Sequence, residues 1–428
     1  TFTDGRSYGT GYGEEYSTTS GATYYDDDRE TYVSCTVVKT AVSEGSDSKG
    51  TLFSKGNLTI SGSGSLSVTQ AYKNCIASKE GVLTIEGGTL SLKNYTSSSE
   101  TGKNALFGGL GIVVNDGTIT FDGKGIISKS DVRKANGFKT NDSDDGTSYA
   151  SAYVKINGGT TSITTYNGKG ISTPYVYITG GTNTFTITGT TTYSENSTTG
   201  TYYDADGVKQ SNQSISFSPE GIEGDKGITI SGGTTVVSAP DDGINVSTTG
   251  GTLSISGGFL YVKAQGDGLD SNGNITISGG ITVVSQTGNG NSPIDCGDNY
   301  KFTVTGTSAT VFAMGGSGMF SESIPSSTVS PMIYSPSLGS SSSSLAVNGI
   351  IGLSSPQSYA AAILISSSLT SGTSYKFVKG GTLSGTLYNS TAGVYFPATV
   401  SGGSSVSATA TTSSSSGNTG GPGGTTRR

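Results

Sequence analysis

The chain has 428 residues, 68 of them glycine, with 32% hydrophobic and 13% charged residues and a formal net charge of −7. A compact globule of this length carries more apolar mass, whereas a solenoid, whose core is a thin cylinder, needs less. The mild acidity, with no basic patch interleaved with aromatics, argues against nucleic acid as a partner. The chain has no histidine and no tryptophan, which removes the commonest general base and the usual flat sugar-stacking side chain. It keeps 23 tyrosines and 13 phenylalanines.

Residues 1–30, rich in Tyr, Gly, Thr and Asp, read as an N-terminal arm or cap. Residues 31–47, containing TYVSCTVVKTAV, read as a strand pair that closes the first coil. NLTISGSGSLSV (57–68) and VLTIEGGTLSL (82–92) then read as coils with Gly64 and Gly88 at equivalent corners. GIVVNDGTITF (111–121) follows with Asp116-Gly117 in place of Gly-Gly, and then YVKINGGTTSIT (153–164) and YVYITGGTNTFTI (175–187). The polar stretches 122–152 and 189–219 read as projecting loops, where solenoids place binding surfaces or tolerate insertions. Arg133, Lys134 and Lys139 make the first loop the most basic in the chain, and Tyr193, Tyr202 and Tyr203 decorate the second.

The clearest repeat lies in 220–296. Each unit opens with a tetrapeptide (EGIE, DGIN, DGLD, SPID), continues with an alternating run such as Ile228-Thr-Ile230, turns at Gly-Gly, and closes with a second alternating run. The tetrapeptides start at Glu220, Asp242, Asp267 and Ser292, spaced 22, 25 and 25 residues apart. Short alternating runs with glycine turns at this period predict an all-β chain built as a right-handed parallel β-helix over 31–319. Equivalent strands of successive coils would pair in parallel at about 4.8 Å, piling Ile228, Leu253 and Ile275, and Ile230, Ile255 and Ile277, into interior columns. FTVTGTSATVFAMGGSGM (302–319) is the last coil. Residues 320–344 are a Ser/Pro-rich linker, 345–400 a small antiparallel β cap over the open end, and 401–428 a Gly/Ser/Thr-rich tail expected to lack structure of its own.

Stacking also aligns the tetrapeptides. Their first positions, Glu220, Asp242, Asp267 and Ser292, and their last, Glu223, Asn245, Asp270 and Asp295, should form two short acidic columns. Like charges about 5 Å apart repel, and a hard divalent cation with oxygen ligands, Ca2+, would relieve them. The alternative is that these carboxylates are solvated and cap backbone amides in turns. The candidate cation ligands are Asp242, Asp267, Asp270, Asp295, Asn245 and Glu223. Tyr202, Tyr203, Arg133 and Lys134 are the candidate carbohydrate contacts.

Of three cysteines, Cys35, Cys75 and Cys296, the first two are the candidate disulfide, with a buried free thiol as the alternative. Asn-X-Ser/Thr sequons occur at Asn57, Asn94, Asn141, Asn196, Asn212, Asn245, Asn274 and Asn389. They permit glycosylation, but a Ser/Thr-rich chain yields about that many by chance. No stretch is long and apolar enough to span a membrane. A start at Thr1 leads us to expect that a leader has been removed.

PEGIEG (219–224), APDDGIN (239–245), GGFLYVKAQGDGLDSNGNITISGG (257–280), NGNSPIDCG (289–297) and GGSGM (315–319) resemble the secreted carbohydrate-binding-domain-containing β-helix proteins. SPQSYAAAILISSSLTSGTSYKFVKGG (355–381) resembles their C-terminal segment. The resemblance implies an extracellular or surface-attached parallel β-helix, similar in shape to pectate lyases, that binds acidic plant polysaccharide and Ca2+. It implies that Asp242, Asp267, Asp270 and Asp295 are the cation-binding carboxylates. Cys296 and the length of 189–219 depart from the pattern.

Three functions are therefore in view. The first is a non-catalytic surface protein in which Ca2+ bridges an acidic edge to uronate carboxylates while tyrosines contact sugar rings. The second is a structural subunit of an extracellular filament, residues 1–30 completing a neighbour's sheet edge by strand addition. The third is a polysaccharide lyase, for which Arg133, Lys134, Lys139, Lys209 and Lys226 are the candidate bases, none of them held on the acidic columns by spacing.

Overall fold

The computed structural model describes residues 49–95, 102–124, 135–143, 145–189, 218–288 and 290–412, together with the backbone of six further strands. It is almost entirely β: parallel stacked coils form a β-solenoid of about nine turns. The chain divides into two compact units, Thr1–Glu223 and Gly224–Arg428.

In the first unit each coil contributes a tetrapeptide strand, a second strand, a glycine corner and a third strand. The third strands, Ser65–Ala71, Thr89–Asn94, Thr118–Asp122, Thr160–Thr165 and Thr182–Ile187, pair in parallel in that order. Their registers stack Val68, Leu92, Phe121, Ile163 and Phe185 into one column, and all five are buried. The second strands stack Leu83, Ile112, Val154 and Val176 beside Ile85, Val114, Ile156 and Ile178, every one fully buried. Alternation inside each strand sets these columns, because period-2 side chains face one way only.

The arm and the first strand of the expected helix are one element. Tyr16–Asp26 pairs antiparallel with Thr31–Lys39 as a two-stranded ribbon, so the partner of Thr31–Lys39 in the expected strand pair comes from the arm, and the expected boundary at residue 30 falls between the two strands. Within 189–219, Thr192–Tyr193 pairs antiparallel with Ile215–Ser216, and Thr201–Tyr203 with Lys209–Ser211.

In the second unit Thr234–Ala239, Phe259–Ala264, Ile281–Gln286 and Thr310–Gly315 stack in parallel. The expected columns form: Ile228, Leu253 and Ile275 are in register, as are Ile230, Ile255 and Ile277. The third strands here are apolar on both faces. Val236, Tyr261, Val283 and Phe312 make an outward column that packs, with Phe259 and Met314, against Leu345, Val347, Ile351, Tyr359 and Phe377 of the cap. Runs such as Phe259-Leu-Tyr-Val262 read as continuous hydrophobics because both sides are covered.

The cap is more deeply joined to the coils than a separate 345–400 subdomain. Ala361–Ser366 adds antiparallel to the last parallel strand, Thr310–Gly315, and Met332–Ser335, inside the stretch read as a linker, adds antiparallel beyond it. Gln357 clips the join, its Nε2 donating to the carbonyls of Ala264 and Ser285 and its backbone N–H to Ser285 Oγ. The remaining strands form a six-stranded antiparallel sheet. That sheet includes Ser404–Thr409, paired with Ser374–Lys379, so the first part of the expected tail is strand. Its alternation, Ser-Val-Ser-Ala, is weak by itself and gains a partner only in the fold.

The glycine corners are left-handed. The second glycine of each pair has positive φ: Gly88 87°, Gly159 75°, Gly181 79°, Gly233 73°, Gly258 80° and Gly280 77°. Gly64 does align with Gly88 through the register Ser65↔Thr89, but in that coil the positive φ falls on Gly62, because the turn holds an extra residue. At Gly258 a Cβ would also lie 2.7 Å from backbone atoms of the coil below. Gly258→Ala should therefore cost more than about 1 kcal/mol in urea unfolding, whereas Gly56→Ala, with open space around the added carbon, should leave the midpoint unchanged.

Candidate functional site

The tetrapeptides of the second unit are brought together by three short strands, Ile244–Val246, Leu269–Ser271 and Ile294–Cys296, paired in parallel. Ile244, Leu269 and Ile294 point inward and are fully buried, which locks the register. One step along, Asn245, Asp270 and Asp295 stand in register as a column. The first positions form a different ladder: Asp242 Oδ1 accepts the Asp267 backbone N–H at 2.7 Å, and Asp267 Oδ1 accepts the Ser292 N–H at 2.5 Å. These two carboxylates thus cap the next coil's amides as well as lining up.

The carboxylates raise one another's affinity for protons. Burial pushes the Asp267 carboxyl up to about 7, against the Ser292 N–H, and Asp295, Glu322 and Asp241 add to it. Burial takes Asp295 to about 6, with Asp298 adding, and Glu322 to about 7, with Asp295 adding. Glu322 sits on the short 3-10 helix Phe320–Ser323, and its Oε2 accepts from Ser292 Oγ at 3.3 Å. This bond to Ser292 brings a further carboxylate to the acidic edge, one hidden in sequence by its Ser/Pro-rich surroundings. Burial and Asp295 also push the Cys296 thiol up to about 11, which makes it a poor nucleophile. Among the described residues no three acidic or cysteine side chains converge closely enough to hold a metal by themselves. The acidic edge is a column, not a cage.

Glu220 and Glu223, in the first unit, do not extend an acidic column. Lys169 Nζ lies 3.1 Å from Glu220 Oε2 and 2.5 Å from Glu223 Oε1, and all three side chains are largely buried. Burial alone would lower the Lys169 pKa, but the two carboxylates hold it above its ordinary value. Burial would raise Glu223, but Lys169, helped by Lys139 and a 3.1 Å hydrogen bond from Ser172 Oγ, holds it low. Lys139, read as part of a basic loop, is instead on the strand Phe138–Thr140, its ammonium 3.2 Å from Asp142.

Sequence reasoning missed most of the ladder beneath this ion cluster. Asn74 Oδ1 accepts both the Asn104 N–H and its Nδ2, Asn104 Oδ1 accepts the same pair from Asn136, and Asn136 Oδ1 accepts the Lys169 N–H. The signal was present as NCIA, NALF, NGFK and KGIS, but the intervals between them are irregular.

The other expected residues are dispersed. Arg133, Lys134, Asn196 and Asn212 lie outside the described residues. Tyr202 and Tyr203 lie on the strand Thr201–Tyr203, opposite Gln210 and Lys209. Cys75 is buried on the strand Asn74–Ser78, while the side chain of Cys35 lies outside the described residues, and its pairing with it. Asn94 is 1% exposed and donates to the carbonyls of Gly102 and Lys124, so the folded chain has no room for a glycan there. Asn245 is also buried, whereas Asn57 and Asn274 are exposed and Asn141 and Asn389 half-buried.

A parallel β-solenoid whose stacked coils carry ladders of polar side chains defines the class. The chain belongs to the family described as carbohydrate-binding domain-containing protein, which it matches over residues 18–258 and again over 218–410. No curated protein and no solved structure matches it. Among the described residues no helix is long and apolar enough to cross a membrane.

Two measurements probe the charges. Because Asp267 binds its proton more tightly folded than unfolded, it costs stability progressively as pH rises from the ordinary carboxylate range through about 7. Asp267→Asn should raise the melting temperature relative to wild type more at about pH 8 than at about pH 4.5. In the first unit, Lys169→Met strands two buried carboxylates and should cost about 3–5 kcal/mol, part of which Glu220→Gln in the same chain should restore.

Proposed function

We propose that this protein is an extracellular, surface-associated and non-catalytic module that binds acidic polysaccharide, with Ca2+ joining its acidic edge to the ligand's carboxylates. The observation that carries this reading is the in-register column Asn245, Asp270 and Asp295 beside the ladder of Asp242 and Asp267, in a chain of a carbohydrate-binding family. Carboxylates that burial and mutual repulsion push up to about 6 and 7 are short of counter-charge, and a cation favours their ionised form. Ca2+ takes six to eight oxygen ligands in flexible geometry. A column offering one or two carboxylates per coil leaves the remaining positions to water and to uronate oxygens. On this reading the polysaccharide completes the coordination, and without it the edge binds Ca2+ weakly.

Retention on immobilised polygalacturonate tests the proposal. Retention should require Ca2+, be released by chelator, and fall about tenfold or more in Asp270→Asn/Asp295→Asn, with no rise in ultraviolet absorbance from unsaturated uronides. Chelator-insensitive retention would remove the calcium bridge, and a steady absorbance rise would make the protein a lyase.

A further inference from the structure

We propose that the outward face of the strands Tyr153–Ile156 and Ile171–Ile178, in the first unit, is a stacking platform for the pyranose rings of a uronate-bearing polysaccharide. This deepens the carbohydrate-binding reading and rests on it, but places ring recognition on a face that the acidic edge does not include.

The platform follows from alternation and register. Val154, Ile156, Val176 and Ile178 fill the interior, so Tyr153, Lys155, Tyr175 and Tyr177 point outward. Tyr153 is in register with Tyr175, and Lys155 with Tyr177. The Tyr175 and Tyr177 rings are 6.4 Å apart at 12°, nearly parallel, and Tyr153 meets Tyr177 edge-on at 6.4 Å and 65°. In the coil below, Gly111 opposes Tyr153, and a Cβ there would lie 3.1 Å from the Tyr153 ring. The missing side chain lets that ring lie down across the sheet.

A polar rail runs alongside. Asn115 Nδ2 donates to Glu86 Oε1 at 2.9 Å, Asn157 Nδ2 to Asn115 Oδ1 at 2.7 Å, and Thr179 Oγ1 to Asn157 Oδ1 at 2.8 Å. Aromatic faces beside amides suit a sugar, whose rings present C–H on their faces and hydroxyls at their edges. Lys155 makes no ion pair among the described residues, and it supplies the positive charge that a uronate carboxylate needs.

Sheet stability alone does not account for the tyrosines. The corresponding outward positions of the second unit carry Thr252, Ser254, Asn274 and Thr276, and those strands pair equally well. Tyr177, by contrast, stays 37% exposed, an aromatic ring held against water.

The test compares retention of wild type, Tyr175→Thr/Tyr177→Thr and Lys155→Gln on immobilised polygalacturonate in Ca2+, with melting temperatures measured in parallel. Threonine keeps the strand propensity found on the other unit's face. The double variant should lose about tenfold to a hundredfold in affinity while melting within a few degrees of wild type, and Lys155→Gln should lose less. Polygalacturonate should also protect Tyr177 of wild type from nitration, read by mass spectrometry. If wild type is retained and the double variant binds equally, the platform is wrong and the polysaccharide reading stands. If wild type is retained on no polysaccharide, both fall.

Discussion

A coil of this protein cannot satisfy its own backbone. The N–H of Ile244 donates to the carbonyl of Gly268 one coil on, and that of Leu269 to Pro293 in the next. An unpaired buried amide is costly, so each coil is held in the register of its neighbour, and register then decides everything carried on the side chains. The same constraint that piles Leu253 on Ile275 also piles Asp270 on Asp295. Apolar columns stabilise the stack, whereas charged columns are tolerated at a cost that a ligand can offset.

One position in the coil shows how the chain manages that cost. Asparagine accepts from the next coil with Oδ1 and donates to the previous one with Nδ2, so Asn74, Asn104 and Asn136 form a neutral, self-complementary ladder. Lys169 ends it by neutralising Glu220 and Glu223. Aspartate accepts but cannot donate when ionised, so Asp242 and Asp267 keep the backbone capping and accumulate charge.

The cap answers a related difficulty. A stack of parallel strands exposes an edge at its end, an invitation to pair with other chains. Here Ala361–Ser366 turns antiparallel onto Thr310–Gly315, and the six-stranded sheet covers the outward column of Val236, Tyr261, Val283 and Phe312. The third strands of the second unit are therefore apolar on both faces, whereas outward third-strand positions of the first unit such as Thr89, Thr118, Thr160 and Thr182 are exposed.

Much of this was legible in the chain. Period-2 alternation, paired glycines and a recurrent tetrapeptide determined the strands, the left-handed corners, the interior columns and the alignment of Asn245, Asp270 and Asp295, because these depend only on local geometry repeated at a near-constant interval. Where the interval broke, the reading broke with it. The irregular spacing of Asn74, Asn104, Asn136 and Lys169 hid a ladder, and the Ser/Pro-rich run hid Glu322 and the strand Met332–Ser335. Only the tertiary structure decided which carboxylates meet a cation and which meet each other, since Lys169 lies 51 and 54 residues before its two partners. Only it showed that Tyr153, Tyr175 and Tyr177 share one surface, because neighbours across coils are set by stacking and not by distance along the chain.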